Sequence, residues 1–191
     1  FIGDEDITLM PIPEAEVRLM IADAKERDYA VVVCGRDDIG IYNHSKIYED
    51  VFVKGLKVTN IDVHKPIEPM LDKPVLQLTP FFRVEDEATI LPAMKHCISA
   101  RWNPLFTDIT VKGADKGSAL LKLAAHIGLE PSECIAFGDG GNDMSILRAA
   151  GIGVAMGNAN EEVQAAADYI TTSVDEDGIR NAFIHFNIIE E

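Results

Sequence analysis

The sequence predicts an α/β protein in two parts: a hairpin-rich α+β unit, then a doubly wound β/α segment. Three observations point there. Beyond Lys116, short apolar strands alternate strictly with helices across short connections, the pattern of right-handed crossovers. Glu133 to Phe137 is apolar almost throughout rather than alternating, as in a parallel strand covered on both faces. Before Val111, strands are joined by polar turns, as in Ala30 to Cys34 and Ile39 to Tyr42 around Gly35-Arg36-Asp37-Asp38.

The elements follow in order. Ile7 to Met10 reads as a strand. Pro13 opens a helix through Lys25, with Val17, Met20, Ile21 and Ala24 at helical spacing and proline suited to a first turn. The hairpin comes next. Residues 44–73 are polar and carry Pro66 and Pro69, so they read as loop with one short helix near Ile47 to Val53. Val75 to Leu78 is a strand, Glu85 to Lys95 a helix, and His96 to Trp102 and Phe106 to Val111 two further strands. The second part begins with a helix from Lys116 to Ile127, whose Leu120, Leu121, Leu123, Ala124 and Ile127 form an apolar side. Then come the strand Glu133 to Phe137, the loop Gly138-Asp139-Gly140-Gly141 and a helix from Asn142 to Ala150. Strand Ile152 to Ala155, helix Asn160 to Ala167, strand Tyr169-Ile170 and helix Glu176 to Phe186 complete the chain.

Composition narrows the function. The chain has 191 residues, 47% of them apolar, and a net charge of −15. That is globular composition, with a core of useful size. The charge argues against nucleic acid held through its phosphates. No apolar run approaches the roughly 18 residues of a membrane span, and no signal peptide is visible, so no membrane partner is expected. Cys34, Cys97 and Cys134 are far apart in apolar runs and read as reduced thiols of a cytoplasmic protein. The five histidines show no metal-ligand spacing.

The chemistry concentrates in Phe137-Gly138-Asp139-Gly140-Gly141-Asn142-Asp143. Ligands of doubly wound sheets gather at the carboxyl ends of strands, where Asp139 would project as a hard oxygen ligand suited to Mg²⁺. The glycines let backbone approach a ligand, and Asn142 and Asp143 sit at a helix start. The plainer alternative is a turn in which Asn142 or Asp143 merely caps that helix. The second stretch is Lys112-Gly113-Ala114-Asp115-Lys116-Gly117. A lysine at a helix N-terminus opposes the dipole, and an anion shared between the two would account for it. A solvated Lys116 above an Asp115 cap fits equally well.

The stretches "KGADKGSALLKLAAHIGL" and "ECIAFGDGGNDMSILRAAGIGVAMGNANEEVQAAADYITTSVDEDGI" resemble the C-terminal half of the haloacid dehalogenase-like phosphatases, and within them the Cof-type, sugar-phosphatase-like branch. "PIPEAEV", "LQLTPF" and "RWNPLFTDIT" resemble that branch's inserted cap more weakly. The resemblance implies a cap domain over residues 1–110 and the C-terminal half of a Rossmann-like core over 111–191. Lys116 matches the motif III lysine, Asp139 the metal-ligand aspartate, Asp143 the second carboxylate supporting the metal, and Asn142 an amide on the phosphate side. "GVAMGNA" at 153–159 reads as structural. The implied activity is Mg²⁺-dependent hydrolysis of a small phosphorylated metabolite, a sugar phosphate among them, through an aspartyl-phosphate.

The family's nucleophile lies in an N-terminal "DxDGT" motif ahead of the cap. By that register it falls before Phe1, and the chain alone is expected to be inactive. The missing strand would leave an unpaired apolar sheet edge, favouring association. A noncatalytic phosphate-binding or assembly module is the alternative from another class. A decoy also exists. Asp4-Glu5-Asp6-Ile7-Thr8-Leu9 imitates the nucleophile motif and "VVVCGRD" at 31–37 the hydroxyl motif that follows it, with Cys34 in place of the hydroxyl. Arg101 and Trp102 read either as a phosphate or sugar-hydroxyl contact and a ring-stacking surface, or as a buried tryptophan beside an exposed arginine.

Overall fold

The structure is a computed structural model that describes residues 2, 3 and 5–190. Two compact units emerge: Leu9–Lys112, and residues 113–190 with the described residues ahead of Leu9.

The first unit is a five-stranded antiparallel sheet. Its strands are β1 (Val31–Gly35), β2 (Ile39–Tyr42), β3 (Val75–Pro80), β4 (Cys97–Asn103) and β5 (Phe106–Val111), ordered β2-β1-β3-β5-β4. Side chains alternate between faces along each strand. Val31 and Val33 of β1, Leu78 of β3 and Ile109 of β5 share one face and are buried with Val17, Met20 and Ala24 of helix α1 (Glu14–Arg27). Ile90 of a shorter helix, Val84–Ile90, closes the same cluster. Val32 and Ile41 occupy the opposite face with Tyr48, Phe81 and Phe106.

That second face is where the sequence is least regular. Helix α2 (Lys46–Tyr48) runs into a wide π-helical segment, Glu49–Gly55, where a loop and one short helix were expected. Tyr48, at the end of α2, and Phe52, in the π-helical segment, both pack on Phe81. Phe52 meets Phe81 and Phe106 edge-on, with centroids 4.9 and 5.2 Å apart. A further helix, α3 (Glu68–Leu71), lies where the prolines suggested loop; Pro69 sits in its first turn, where no donor is needed. Helix Val84–Ile90, now α4, stops at a 3₁₀ turn containing Pro92, short of the expected Lys95.

The expected strand Ile7 to Met10 is not formed. Pro11 and Pro13 follow it and cannot donate to a ladder, and between them Ile12 N–H donates to the Val75 carbonyl at 2.8 Å.

The second unit holds a parallel sheet, β6 (Ile135–Gly138), β7 (Ile152–Ala155) and β8 (Tyr169–Ile170), in that order. Helices cover both faces. Phe137 of β6 meets Phe183 of helix Gly178–His185 edge-on at 5.2 Å. On the other face Gly153 lies beneath helix Met144–Ala149: a Cβ there would stand 2.2 Å from the Leu147 carbonyl oxygen. Ala136 pairs with Gly153 and shares its face, so small residues on this side let the helix sit close while bulky ones fill the other. Helix α5 (Lys116–Ile127) has the expected bounds, capped by the Asp115 side chain and ended by Gly128 in the left-handed region at φ 76°. Its leucine side is not buried as expected, since Leu121 and Ile127 are 43% and 50% exposed. Close packing comes instead through Gly117, where a Cβ would lie 2.4 Å from the Ser145 carbonyl oxygen. Helices α6 (Met144–Ala149), α7 (Glu161–Gln164) and α8 (Gly178–His185) complete the unit; the last three of the expected helices are each shorter than anticipated. No helix among the described residues is long and apolar enough to cross a membrane.

Gly153→Ala is expected to cost about 1–3 kcal/mol, because backbone rather than a flexible side-chain tip must move. Denaturant unfolding followed by circular dichroism measures it, and an unchanged midpoint contradicts the close packing of α6 on β7. Burial also pushes the Cys97 thiol up to about 12, reinforced by Glu16, and the Cys34 thiol up to about 11. Both stay protonated at mildly alkaline pH, so their alkylation should be much slower in the folded than in the unfolded chain.

Candidate active site

The site is assembled where β6 ends. Gly138 is buried there because a Cβ would come within 2.4 Å of the Asp143 Cβ, so only glycine lets the chain turn back over that carboxylate. Gly141–Asp143 form a 3₁₀ turn leading into α6, not the α-helical start expected at Asn142.

Asp143 is 6% exposed. Its Oδ2 accepts the backbone N–H groups of Asp139 (3.1 Å) and Gly140 (3.0 Å), and its Oδ1 accepts from Lys116 Nζ. Burial raises the pKa of this carboxyl, but the Lys116 hydrogen bond and the two amides outweigh it, and the group lies below its ordinary value of 3.8. Lys116, on the first turn of α5, thus meets a fixed negative charge, which offsets its unfavourable place at the helix N-terminus. Its side chain remains 51% exposed, so the ammonium also faces solvent. The α5 N-terminus is tied to the same loop system by Gly117 N–H donating to Ser145 Oγ at 3.1 Å.

Asp139 projects from the strand end and is exposed. Its Oδ2 accepts from Asn158 Nδ2 at 3.0 Å, and Asn158 Oδ1 accepts the Val174 N–H at 3.1 Å. Asp139 Oδ1 accepts nothing among the described residues. Asn158 was not anticipated as a site residue. The signal was its place beyond β7, whose carboxyl end adjoins that of β6 in a parallel pair. Asn142 is exposed, with no side-chain hydrogen bond among the described residues; its Oδ1 lies 2.8 Å from where a Gly140 Cβ would be.

Lys116 and Asp139 therefore stand on either side of one carboxylate. Asp143 holds the Asp139 backbone through Oδ2 and the Lys116 ammonium through Oδ1. No group of three His, Cys, Asp or Glu residues forms a metal cage among the described residues. The donors present are one exposed carboxylate oxygen and neighbouring amide oxygens. That set fits a hard cation bound through one or two carboxylates that keeps much of its water, and does not fit zinc.

Other candidates fall elsewhere. Asp4 lies outside the described residues. Cys34 belongs to β1 of the antiparallel unit, within the strand and paired with β2. Arg101 is structural: Nε donates to Glu87, and Nη1 to the carbonyls of Asn103 (3.0 Å), Phe106 (2.9 Å) and Phe82 (3.3 Å). Trp102 is exposed, the reverse of a buried indole beside a free arginine.

A family profile described as haloacid dehalogenase-like hydrolase matches residues 1–183. The chain belongs to the haloacid dehalogenase-like hydrolases. Among members of this family, YkrA of Bacillus subtilis, a candidate phosphatase, is 30% identical over 183 residues, covering 94% of this chain and 69% of YkrA. A subclass IIB sugar phosphatase of known structure superposes with a TM-score of 0.86 at 40% identity, over 99% of this chain and 72% of its own. A phosphatase of the superfamily from Bacteroides thetaiotaomicron gives 0.82 at 36% identity, over 94% and 67%. The expected family resemblance and α/β fold are thereby established.

Asp143→Ala should destabilise the unit by about 1–3 kcal/mol, since two amides lose their acceptor, while Asn142→Ala should be near neutral. Because the folded carboxyl titrates below its unfolded value, its contribution is full above the ordinary carboxylate range and fades as pH falls through the lowered one. Acid unfolding of the wild type and the alanine variant should therefore converge at low pH.

Proposed function

We propose that the protein is a Mg²⁺-dependent phosphatase of small phosphorylated metabolites, sugar phosphates foremost, of the Cof-type branch. The observation that carries this reading is the shared carboxylate: Asp143 holds a lysine ammonium on one side and, on the other, the backbone of a strand-end aspartate with a free oxygen. Cation, oxyanion and hard-metal ligand are the parts phosphoryl transfer requires. The resemblance to sugar phosphatases supports the substrate class, and residues 9–112 are read as the cap that selects the leaving group.

In this reading Asp139 holds the metal, which when bound would neutralise phosphoryl oxygens. Asn158 orients the Asp139 carboxylate through its amide and is itself fixed by the Val174 N–H. Lys116 contributes positive charge to the phosphoryl group, and Asp143 keeps that ammonium aimed. Asn142, free at the surface of the same turn, is placed to donate to a phosphate oxygen. None of these residues attacks phosphorus; the nucleophilic carboxylate of a phosphoaspartate route is not among them. A Cys34 thiol held protonated near about 11 is no substitute.

The test separates binding from turnover. Calorimetry of the 191-residue chain should show inorganic phosphate binding that requires Mg²⁺ and is lost in Lys116→Met and in Asp139→Asn. An aryl phosphate should not be turned over by the chain alone. Failure to bind phosphate with or without Mg²⁺ refutes the reading. Turnover abolished by Asp4→Asn would instead locate the nucleophile at Asp4.

A further inference from the structure

The carboxyl ends of β7 and β8 carry a second hydrogen-bonded network, and it ends on Asp139. Beyond β8 the chain closes on itself. Thr171 Oγ1 donates to the Gly178 carbonyl at 2.7 Å, and Gly178 N–H donates to the Ser173 carbonyl at 3.1 Å. The closure is tight, since a Cβ on Gly178 would stand 2.2 Å from the Thr172 carbonyl oxygen. Beyond β7, Gly157 N–H donates to that same Thr172 carbonyl at 3.0 Å, which ties the backbone beside Asn158 to the closed loop.

Inside the loop, Ser173 precedes a 3₁₀ turn, Val174–Glu176. Glu176 Oε2 accepts from Ser173 Oγ at 2.8 Å and from Ser173 N–H at 3.3 Å, and these bonds hold its carboxyl below the ordinary value of 4.5. Thr172 Oγ1 and Asn181 Nδ2 donate to the Glu176 carbonyl at 2.9 and 2.8 Å. Val174 opens the turn, where an N–H finds no partner within the turn itself. Its side chain is 66% exposed, while its N–H is engaged by Asn158 Oδ1 at 3.1 Å. The residue therefore contributes backbone rather than bulk.

Val174 N–H can only donate, and this decides which way Asn158 faces. An amide side chain has one accepting end and one donating end. With its oxygen on Val174, Asn158 presents its NH2 group to Asp139 Oδ2 at 3.0 Å. A flipped amide would set oxygen against carboxylate and NH2 against N–H, and both bonds would be lost. We propose that Glu176 is a positioning residue for Asp139: by clamping Ser173 it holds the Val174 N–H in place, and with it the orientation of the Asn158 amide and of the carboxylate that amide bonds. Glu176 acts through Ser173, Val174 and Asn158, and Asp139 Oδ1 is left aimed for a hard cation. The proposal deepens the phosphatase reading, on which it rests for the identity of that cation. Asp175 separates positioning from simple attraction, because it carries the same charge one residue away with no side-chain hydrogen bond among the described residues.

The 191-residue chain is compared with its Glu176→Ala, Glu176→Gln and Asp175→Ala variants. Without metal, amide exchange followed by NMR reads the Val174 N–H, and the side-chain NH2 resonances of Asn158 read its orientation. With MgCl2, calorimetry reads affinity. Glu176→Ala is expected to speed exchange at Val174, shift the Asn158 resonances and weaken Mg²⁺ binding about three- to tenfold, the range of one hydrogen bond. Glu176→Gln keeps an acceptor for Ser173 and should restore most of each, while Asp175→Ala should match the wild type. If Glu176→Ala lowers the thermal midpoint, Ser173→Ala, which deletes only the hydroxyl donor, carries the comparison instead. Unchanged Val174 exchange, unchanged Mg²⁺ affinity, or an equal loss of affinity in Asp175→Ala overturns the proposal. A wild-type chain that binds no Mg²⁺ would sink the phosphatase reading, and the metal-free resonances would still decide whether Glu176 orients Asn158.

Discussion

The chemistry of this chain depends on one buried carboxylate. Asp143 is surrounded by a lysine ammonium from α5 and two backbone amides from the loop after β6. Burial of an unpaired charge would be prohibitive, whereas a carboxylate held by three charge-assisted bonds is tolerated. The same bonds fix the N-terminus of α5 relative to the loop after β6. Order in the loop and electrostatics in the site are thus two results of a single interaction.

The close approach of these segments depends on residues without side chains. Gly117, Gly138 and Gly153 each occupy a place where a Cβ would overlap neighbouring atoms, the first and last against backbone and Gly138 against the Cβ of Asp143. They let α5 lie against α6, α6 lie on β7, and the β6 loop fold over Asp143. Bulk is relegated to the opposite side of the parallel sheet, where Phe137 and Phe183 meet. The antiparallel unit solves its packing differently, with valines and leucines under α1 on one face and a cluster of phenylalanines on the other.

Much of this was legible in the residues. Helix α5 announced itself through Asp115 ahead of it and the apolar spacing of its leucines, and β7 through a short apolar run. Asp139, Asp143 and Lys116 stood out because charged residues beside glycines at a strand end or helix start have few structural uses. The hidden parts share a cause: they depend on partners distant in sequence. The π-helical turn at Glu49–Gly55 carries Phe52 against Phe81 and Phe106, which lie far from it in the chain. The role of Asn158 depends on the neighbouring strand. Arg101 looks like an available cation until Glu87 and three carbonyls are brought around it. Likewise, the leucines of α5 carried a helical period without saying that they would remain uncovered.

The aromatic contacts of the antiparallel unit form a continuous relay. Tyr48 and Phe52 touch Phe81, Phe52 and Phe81 touch Phe106, and Phe106 sets the angle of Trp102. The first two rings sit in an irregular stretch whose backbone takes no part in the sheet ladder. Evolution can therefore lengthen, shorten or recompose that stretch and tilt the distant indole while every strand keeps its register, so diversity among relatives can accumulate off the scaffold and still be felt on it.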